Sequence, residues 1–285
     1  MNIKKLIQKA FIGGTWYVAY RRKGTDEFKV IETPDGMWIA DPFVYEVDGE
    51  VYIFVEVFED KKKIASIGYY KFENDIPVYK GLIIEEKYHM SYPCIFEYLG
   101  EYYIIPESSA NESISLYKAE VFPNKWTKEK DLLLGERFVD STVVKTENGY
   151  NVISYKVASN GWKLVQFDLD MKNISMEKKS YKSYSENIAR PAGYIFDQCK
   201  RPAQDCRNKY GENLIIYQID SWYPYSEHFT EVVSASKIVK NMQYDRIHTY
   251  TNSCNYEVVD LFKEKFDLFH GVKIFIRAYL RNWFS

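Results

Sequence analysis

Trp38-Ile39-Ala40-Asp41-Pro42-Phe43-Val44-Tyr45-Glu46-Val47-Asp48-Gly49-Glu50-Val51-Tyr52-Ile53-Phe54-Val55 reads as two antiparallel strands joined at Asp48-Gly49. Asp-Gly between two such runs is a strong hairpin signal, because both central residues of the tight turn need positive φ. At the head of the hairpin stands a carboxylate, Asp41, followed by a proline. The same strand-start signal returns as Ser91-Tyr92-Pro93-Cys94, Val139-Asp140-Ser141-Thr142, Ala189-Arg190-Pro191-Ala192 and Ile247-His248-Thr249-Tyr250. From Asp41 the successive steps to Tyr92, Asp140, Arg190 and His248 are 51, 48, 50 and 58 positions. A regular period in this range marks a solenoid, a propeller or an array. Each repeat here is a small set of strands, so the reading is all-β, a five-bladed β-propeller. The innermost strands of such a fold ring a central channel. Their starts converge at one end, which brings Asp41, Asp140, Arg190 and His248 into one polar pocket.

The later hairpins turn at Leu99-Gly100 and Asn148-Gly149. Blade four departs from the pattern: a polar stretch from Asp197 to Asn213, holding Arg201-Pro202-Ala203-Gln204-Asp205, separates two apolar runs. Long structured loops in compact domains are usually functional, so this stretch is expected to overhang the pocket. Blade five runs through Tyr256-Glu257-Val258-Val259-Asp260, with Thr15 to Tyr20 supplying its missing outer strand and closing the ring. The resulting organisation is an N-terminal amphipathic helix over 1–14, the propeller over 15–262 and a basic amphipathic helix over 263–285. In the tail, Leu268, Phe269, Val272, Phe275, Ile276, Tyr279, Leu280 and Trp283 share one helical face, flanked by Lys273, Arg277 and Arg281. Such a helix either docks on its own propeller or lies on an anionic membrane surface.

A chain of 285 residues can bury a large core. Its 26 Tyr, 17 Phe and 6 Trp suit pleated strands and also the apolar faces of sugar rings. A net charge of −2 gives no reason to expect nucleic acid as a partner. The four cysteines match no short zinc signature and read as free thiols. No apolar run is long enough to cross a bilayer, and Lys9 interrupts the N-terminal apolar segment where an export signal would need continuity. The expected location is therefore cytoplasmic, peripheral on the inner membrane face.

Trp38 to Phe43, His89-Met90-Ser91-Tyr92-Pro93, Ile105-Pro106-Glu107-Ser108, Phe138 to Thr142, Arg190-Pro191-Ala192-Gly193, Arg201 to Asp205 and His248-Thr249 carry a family likeness. Together they resemble the propeller domain at the N-terminus of glucosamine inositolphosphorylceramide transferases. The resemblance runs from about Trp16 to Asp260. More distantly the arrangement is similar to glycoside hydrolases of the family 43 and family 32 type. The likeness implies carbohydrate chemistry, with Asp41 as base or nucleophile and Asp140 as the carboxylate that tunes and orients. Arg190-Pro191 stands where such a hydrolase offers its acid, leaving Glu107 and Asp205 as substitutes. His248 falls at the central histidine of those propellers; no cofactor is required, and the likeness admits an axial metal ion beside it.

Glycosidic chemistry needs a carboxylate at the anomeric carbon and a proton donor for the leaving oxygen. A diphosphate leaving group needs positive charge instead, and arginine offers a planar fork to phosphate oxygens. The expected catalytic set is Asp41, Asp140 and Glu107. The expected substrate contacts are Arg190, Arg201, Asp205, His248, Tyr92 and Trp38, around a nucleotide sugar or a glycan. The leading expectation is a glycosyltransferase-like protein of bacterial surface polysaccharide or glycolipid assembly. A family 43-like hydrolase and a non-catalytic glycan-binding propeller are the alternatives.

Overall fold

The computed structural model describes residues 12–157, 161–197 and 199–266. The chain opens with β1 (Ile12–Arg22) and β2 (Lys29–Val30). Three four-stranded meanders follow. The first is β3 (Met37–Val47), β4 (Glu50–Glu59), β5 (Ile64–Glu73) and β6 (Ile76–Ile84). The second is β7 (Ser91–Tyr98), β8 (Glu101–Ser108), β9 (Ser113–Val121) and β10 (Lys125–Leu134). The third is β11 (Phe138–Thr146), β12 (Gly149–Lys156), β13 (Trp162–Asp170) and β14 (Ser175–Tyr184). A three-stranded sheet of β15 (Lys200–Asp205), β16 (Asn213–Trp222) and β17 (Tyr225–Val233) precedes β18 (Tyr250–Asn252) and β19 (Tyr256–Phe266). The five sheets are the five blades. Among the described residues helix is confined to single turns, and no helix is long and apolar enough to cross a membrane.

The last blade has the order β18-β19-β1-β2, so the N-terminal strand pairs with the C-terminal one from Ile12↔Phe266 to Arg22↔Tyr256. This pairing closes the ring and leaves neither β1 nor β19 as a free edge. It also moves the boundaries read from sequence: Ile12–Gly14 and Lys263–Phe266 are strand, not the beginnings of flanking helices. The rest of both expected helices, and their expected membrane contact, lies outside the described residues.

Blade four holds the larger correction. Lys200–Asp205 is not an overhanging insert but the strand β15, buried from Arg201 to Asp205 and paired along its length with β16. Its inner neighbour is an irregular segment around Arg190 to Phe196. That segment is held by the bridges Pro191↔Ala203 and Phe196↔Lys200 and by the bonds Ala192 N–H to Pro202 O and Gln204 N–H to Arg190 O. Proline and glycine in this segment break a regular ladder but not the blade.

A septum crosses the axis midway. The Tyr92 ring is fully buried against Phe43, edge-on at 4.8 Å. Its hydroxyl lies 2.7 Å from Thr142 Oγ1 and accepts the Gly193 N–H at 2.6 Å. Gly193 has φ +129°, and a Cβ added there would lie 1.9 Å from the Tyr250 carbonyl oxygen. Backbone cannot yield as a side-chain tip can. Gly193→Ala is therefore expected to destabilise the fold by well over about 1 kcal/mol, the scale of an incompatible glycine replacement. A lowered urea midpoint checks it; an unchanged midpoint contradicts the septum packing.

Candidate functional site at the propeller axis

Three innermost strands carry the same defect. The ladders slip between Ala40 and Phe43, between Ser91 and Cys94, and between Val139 and Thr142. At each slip one residue is left-handed: Asp41 at φ 48°, Tyr92 at 48° and Asp140 at 53°. Bulges of this kind re-aim a side chain, and non-glycine residues at positive φ concentrate at functional sites. Here they turn Asp41 and Asp140 toward the axis at the strand-start end, while Tyr92 builds the septum below. Pro42 and Pro93 follow two of the bulges, where the ladder is already broken and a missing N–H removes little.

A second ring of polar side chains comes from the second strands. Glu56 is the register partner of Ala40, Glu107 of Ser91, and the N–H groups of Gln204 and Asp260 pair with Arg190 and Thr249. Two linked networks result. In the first, Arg190 forms a two-pronged ion pair with Asp140, a further bond of 3.1 Å to Glu107, and lies 5.2 Å from the Tyr210 ring. Gln204 donates to Asp140 at 2.8 Å, and Ser109 to Glu107 at 2.7 Å. In the second, Asp260 accepts the N–H groups of Asp41, His248 and Thr249 and lies 2.5 Å from His248 Nδ1. His248 Nε2 then faces Asp41 at 3.8 Å, and the Trp16 ring stacks on the imidazole at 3.8 Å. Between the networks, His89 bonds Glu56 at 3.1 Å and is partly exposed.

Burial pushes the Asp41 carboxyl up to about 7; nearby His248 opposes this, while Asp140 and Glu56 add to it. Burial also pushes Asp140 up to about 7, against the pull of Arg190 and with the push of Glu107. His248 is raised: burial disfavours its charge, but Asp260 and Asp41 together outweigh that. His89 is raised by its bond to Glu56. Asp41 Oδ1 takes the Thr249 hydroxyl at 2.7 Å, and its second oxygen has no hydrogen bond among the described residues. A carboxylate with one braced and one open oxygen, titrating near neutrality, is equipped as a general base.

The remaining residues expected at the site separate. Arg201 is buried between blades, in a two-pronged pair with Glu227, and does not reach the pocket. Asp205 is committed to Arg207. Tyr92 is septum rather than pocket wall, and Trp38 stacks on Phe58 at 4.8 Å. Of the stretch from Asp197 to Asn213, the turn from Cys206 to Glu212 is the described part that packs at the axis. There the Gly211 carbonyl accepts the Ile247 N–H, and Tyr210 packs edge-on to His248 at 5.2 Å. Glu56, His89, Gln204, Tyr210 and Asp260 are site residues beyond those expected. A metal test falls on Asp41, His248 and Asp260, whose ligand atoms lie within 4.8 Å of one another. Both Asp260 oxygens already hold backbone N–H groups, so a cation there would have to displace that brace. The described cysteines are free thiols.

The five-bladed fold is shared with solved glycoside hydrolases that superpose on this chain. A family 117 glycoside hydrolase of Zobellia galactanivorans superposes with a TM-score of 0.53 at 13% identity, covering 88% of this chain and 92% of that one. The catalytic domain of a family 62 α-L-arabinofuranosidase of Coprinopsis cinerea does so with 0.55 at 12%, covering 86% and 97%. Residues 16–266 match the model of the glucosamine inositolphosphorylceramide transferase 1 N-terminal family, and the chain belongs to that family. Glucosamine inositolphosphorylceramide transferase 1 of Arabidopsis thaliana is 29% identical over 197 residues, and that of Oryza sativa subsp. indica 26% over 196. Each alignment covers 64% of this chain and 26% of the relative. The chain spans about a quarter of the length of the curated relatives it matches.

Proposed function

We propose that the axial pocket binds the acceptor sugar of a glycosyl-transfer reaction, with Asp41 as the base that takes the proton of the attacking hydroxyl. The observation that carries the reading is the charge of the pocket. Asp41, Glu56, Glu107, Asp140 and Asp260 outnumber the basic groups among the described residues of the site: Arg190, already bridged to two of them, His248, paired with Asp260, and His89, paired with Glu56. An arginine so neutralised is a poor clamp for a diphosphate, and the surrounding carboxylates repel one. On this reading Arg190 braces the carboxylates rather than clamping a nucleotide sugar. Carboxylates and a braced arginine suit sugar hydroxyls, and their net negative charge favours an amine-bearing sugar over an acidic one.

A thermal-shift series checks the ligand class, because a ligand of the native state raises its melting temperature by mass action. Methyl glucosaminide is expected to give the largest shift and methyl glucoside a smaller one. Methyl glucuronide and uridine diphosphate glucose are expected to give none. A shift with the nucleotide sugar and none with the glycosides would overturn the acceptor reading.

A further inference from the structure

Below the septum, at the far ends of the innermost strands, lies a cavity of about 660 Å³. That volume falls within the ~300–1,000 Å³ range of small-molecule sites. It is formed by the far ends of the innermost strands, including Tyr45 on β3, Glu97 and Tyr98 on β7, and Lys145 on β11, together with Tyr150 and Tyr194. The septum of Phe43, Tyr92, Thr142 and Gly193 keeps it separate from the axial pocket. We propose that this cup is a second carbohydrate site, taking a neutral oligosaccharide.

Its chemistry carries the assignment. Four tyrosines line a concave space, and phenol rings suit the C–H surfaces of sugars as well as their hydroxyls. Two of them are fixed by their own hydroxyls: Tyr150 donates to the Glu97 carbonyl at 2.8 Å and Tyr194 to the Ile95 carbonyl at 2.9 Å. The hydroxyls of Tyr45 and Tyr98 have no hydrogen-bond partner among the described residues, nor does the ammonium of Lys145 have an ion pair there. Glu97 uses one carboxylate oxygen on the Gly100 N–H at 3.0 Å, and no hydrogen bond to the other is recorded among the described residues. Two free phenols, one ammonium and one carboxylate oxygen of Glu97 stand among the aromatic rings, beside a second carboxylate, Glu46, whose oxygens are taken up by Ser253 and Asn255. One lysine against two carboxylates, Glu46 and Glu97, gives no excess for an anion, and the cup is not an apolar docking groove. This site does not rest on the acceptor reading of the axial pocket.

Saturation-transfer NMR with maltotriose, cellotriose and N,N′,N″-triacetylchitotriose at millimolar concentration tests it. Saturation is expected to reach the ring protons of at least one trisaccharide. It is expected to fall at least five-fold in Tyr98→Ala and in Lys145→Ala, and to persist in Asp41→Asn. Lys145 is exposed, so its variant reports even where Tyr98→Ala folds poorly. Absence of transfer to all three sugars overturns the proposal. So does a signal that Asp41→Asn abolishes while Tyr98→Ala and Lys145→Ala retain it.

Discussion

Replacing Arg190 by methionine is expected to lower the melting temperature by about 10 °C at pH 8, and by much less at pH 5. Asp140 is fully buried, and Arg190 is the cation that holds it. Stranding one member of a buried ion pair costs about 3–5 kcal/mol, and each kcal/mol moves the melting point of a domain this size by roughly 2–4 °C. The pH dependence follows from the direction of the shift. The folded-state pKa of Asp140, about 7, lies above its ordinary value of 3.8, so the folded protein holds the proton more tightly. The stability linked to that proton is fully present below the unfolded pKa and is lost as pH rises through about 7. Asp41 and His248, both raised, act in the same direction, so the wild type should also melt lower at pH 8 than at pH 5. Without Arg190 the Asp140 carboxyl rises further and the loss at pH 8 deepens. Arg190→Met combined with Asp140→Asn should recover most of it. Equal losses at both pH values, or none, would contradict this account of the pair.

Arg201→Met is expected to cost a comparable ~3–5 kcal/mol by the same mechanism, at a place that has nothing to do with the pocket. Both partners are shut off from solvent, Arg201 at 1% and Glu227 at 0% side-chain exposure. The guanidinium donates to both Glu227 oxygens at 2.7 and 2.8 Å and to the Ala189 carbonyl at 3.1 Å. Tyr184 and Tyr225 add hydroxyls to the same carboxylate. Burial alone would raise Glu227, but Arg201 and these phenols hold it below its usual range. Its stabilising contribution is therefore present above the unfolded pKa and lost as pH falls through the folded one. Thermal unfolding of Arg201→Met, Glu227→Gln and the double variant checks it. The double variant should be less damaged than Arg201→Met, because no buried charge is left alone; an additive loss would contradict the pairing.

The contrast between these two arginines shows what could be read from the chain alone. The recurrence of Asp41, Tyr92, Asp140, Arg190 and His248 predicted five blades and a shared end, because period and hairpin chemistry are local signals. Arg190 and Arg201 look alike in sequence, yet one faces the axis and the other a blade interface. β15 was hidden because Pro202, Gln204 and Asp205 read as loop, whereas the strand is sheltered on both sides and its polar groups are spent internally. The second-strand ring had a signal of its own. Glu56 and Glu107 are 51 positions apart, the same step as Asp41 to Tyr92. Which of those side chains turn inward depends on the bulges, and a left-handed aspartate before proline is not distinguishable in sequence from an ordinary turn.

Calorimetric titration of methyl glucosaminide into the wild type and into Asp41→Asn at pH 7 tests the central claim, that the axial pocket is the sugar site. Asn keeps the shape and the Thr249 contact while removing the charge and the basic oxygen, so binding should weaken at least ten-fold in the variant. Equal affinity in the two proteins would contradict the assignment of the axis as the site.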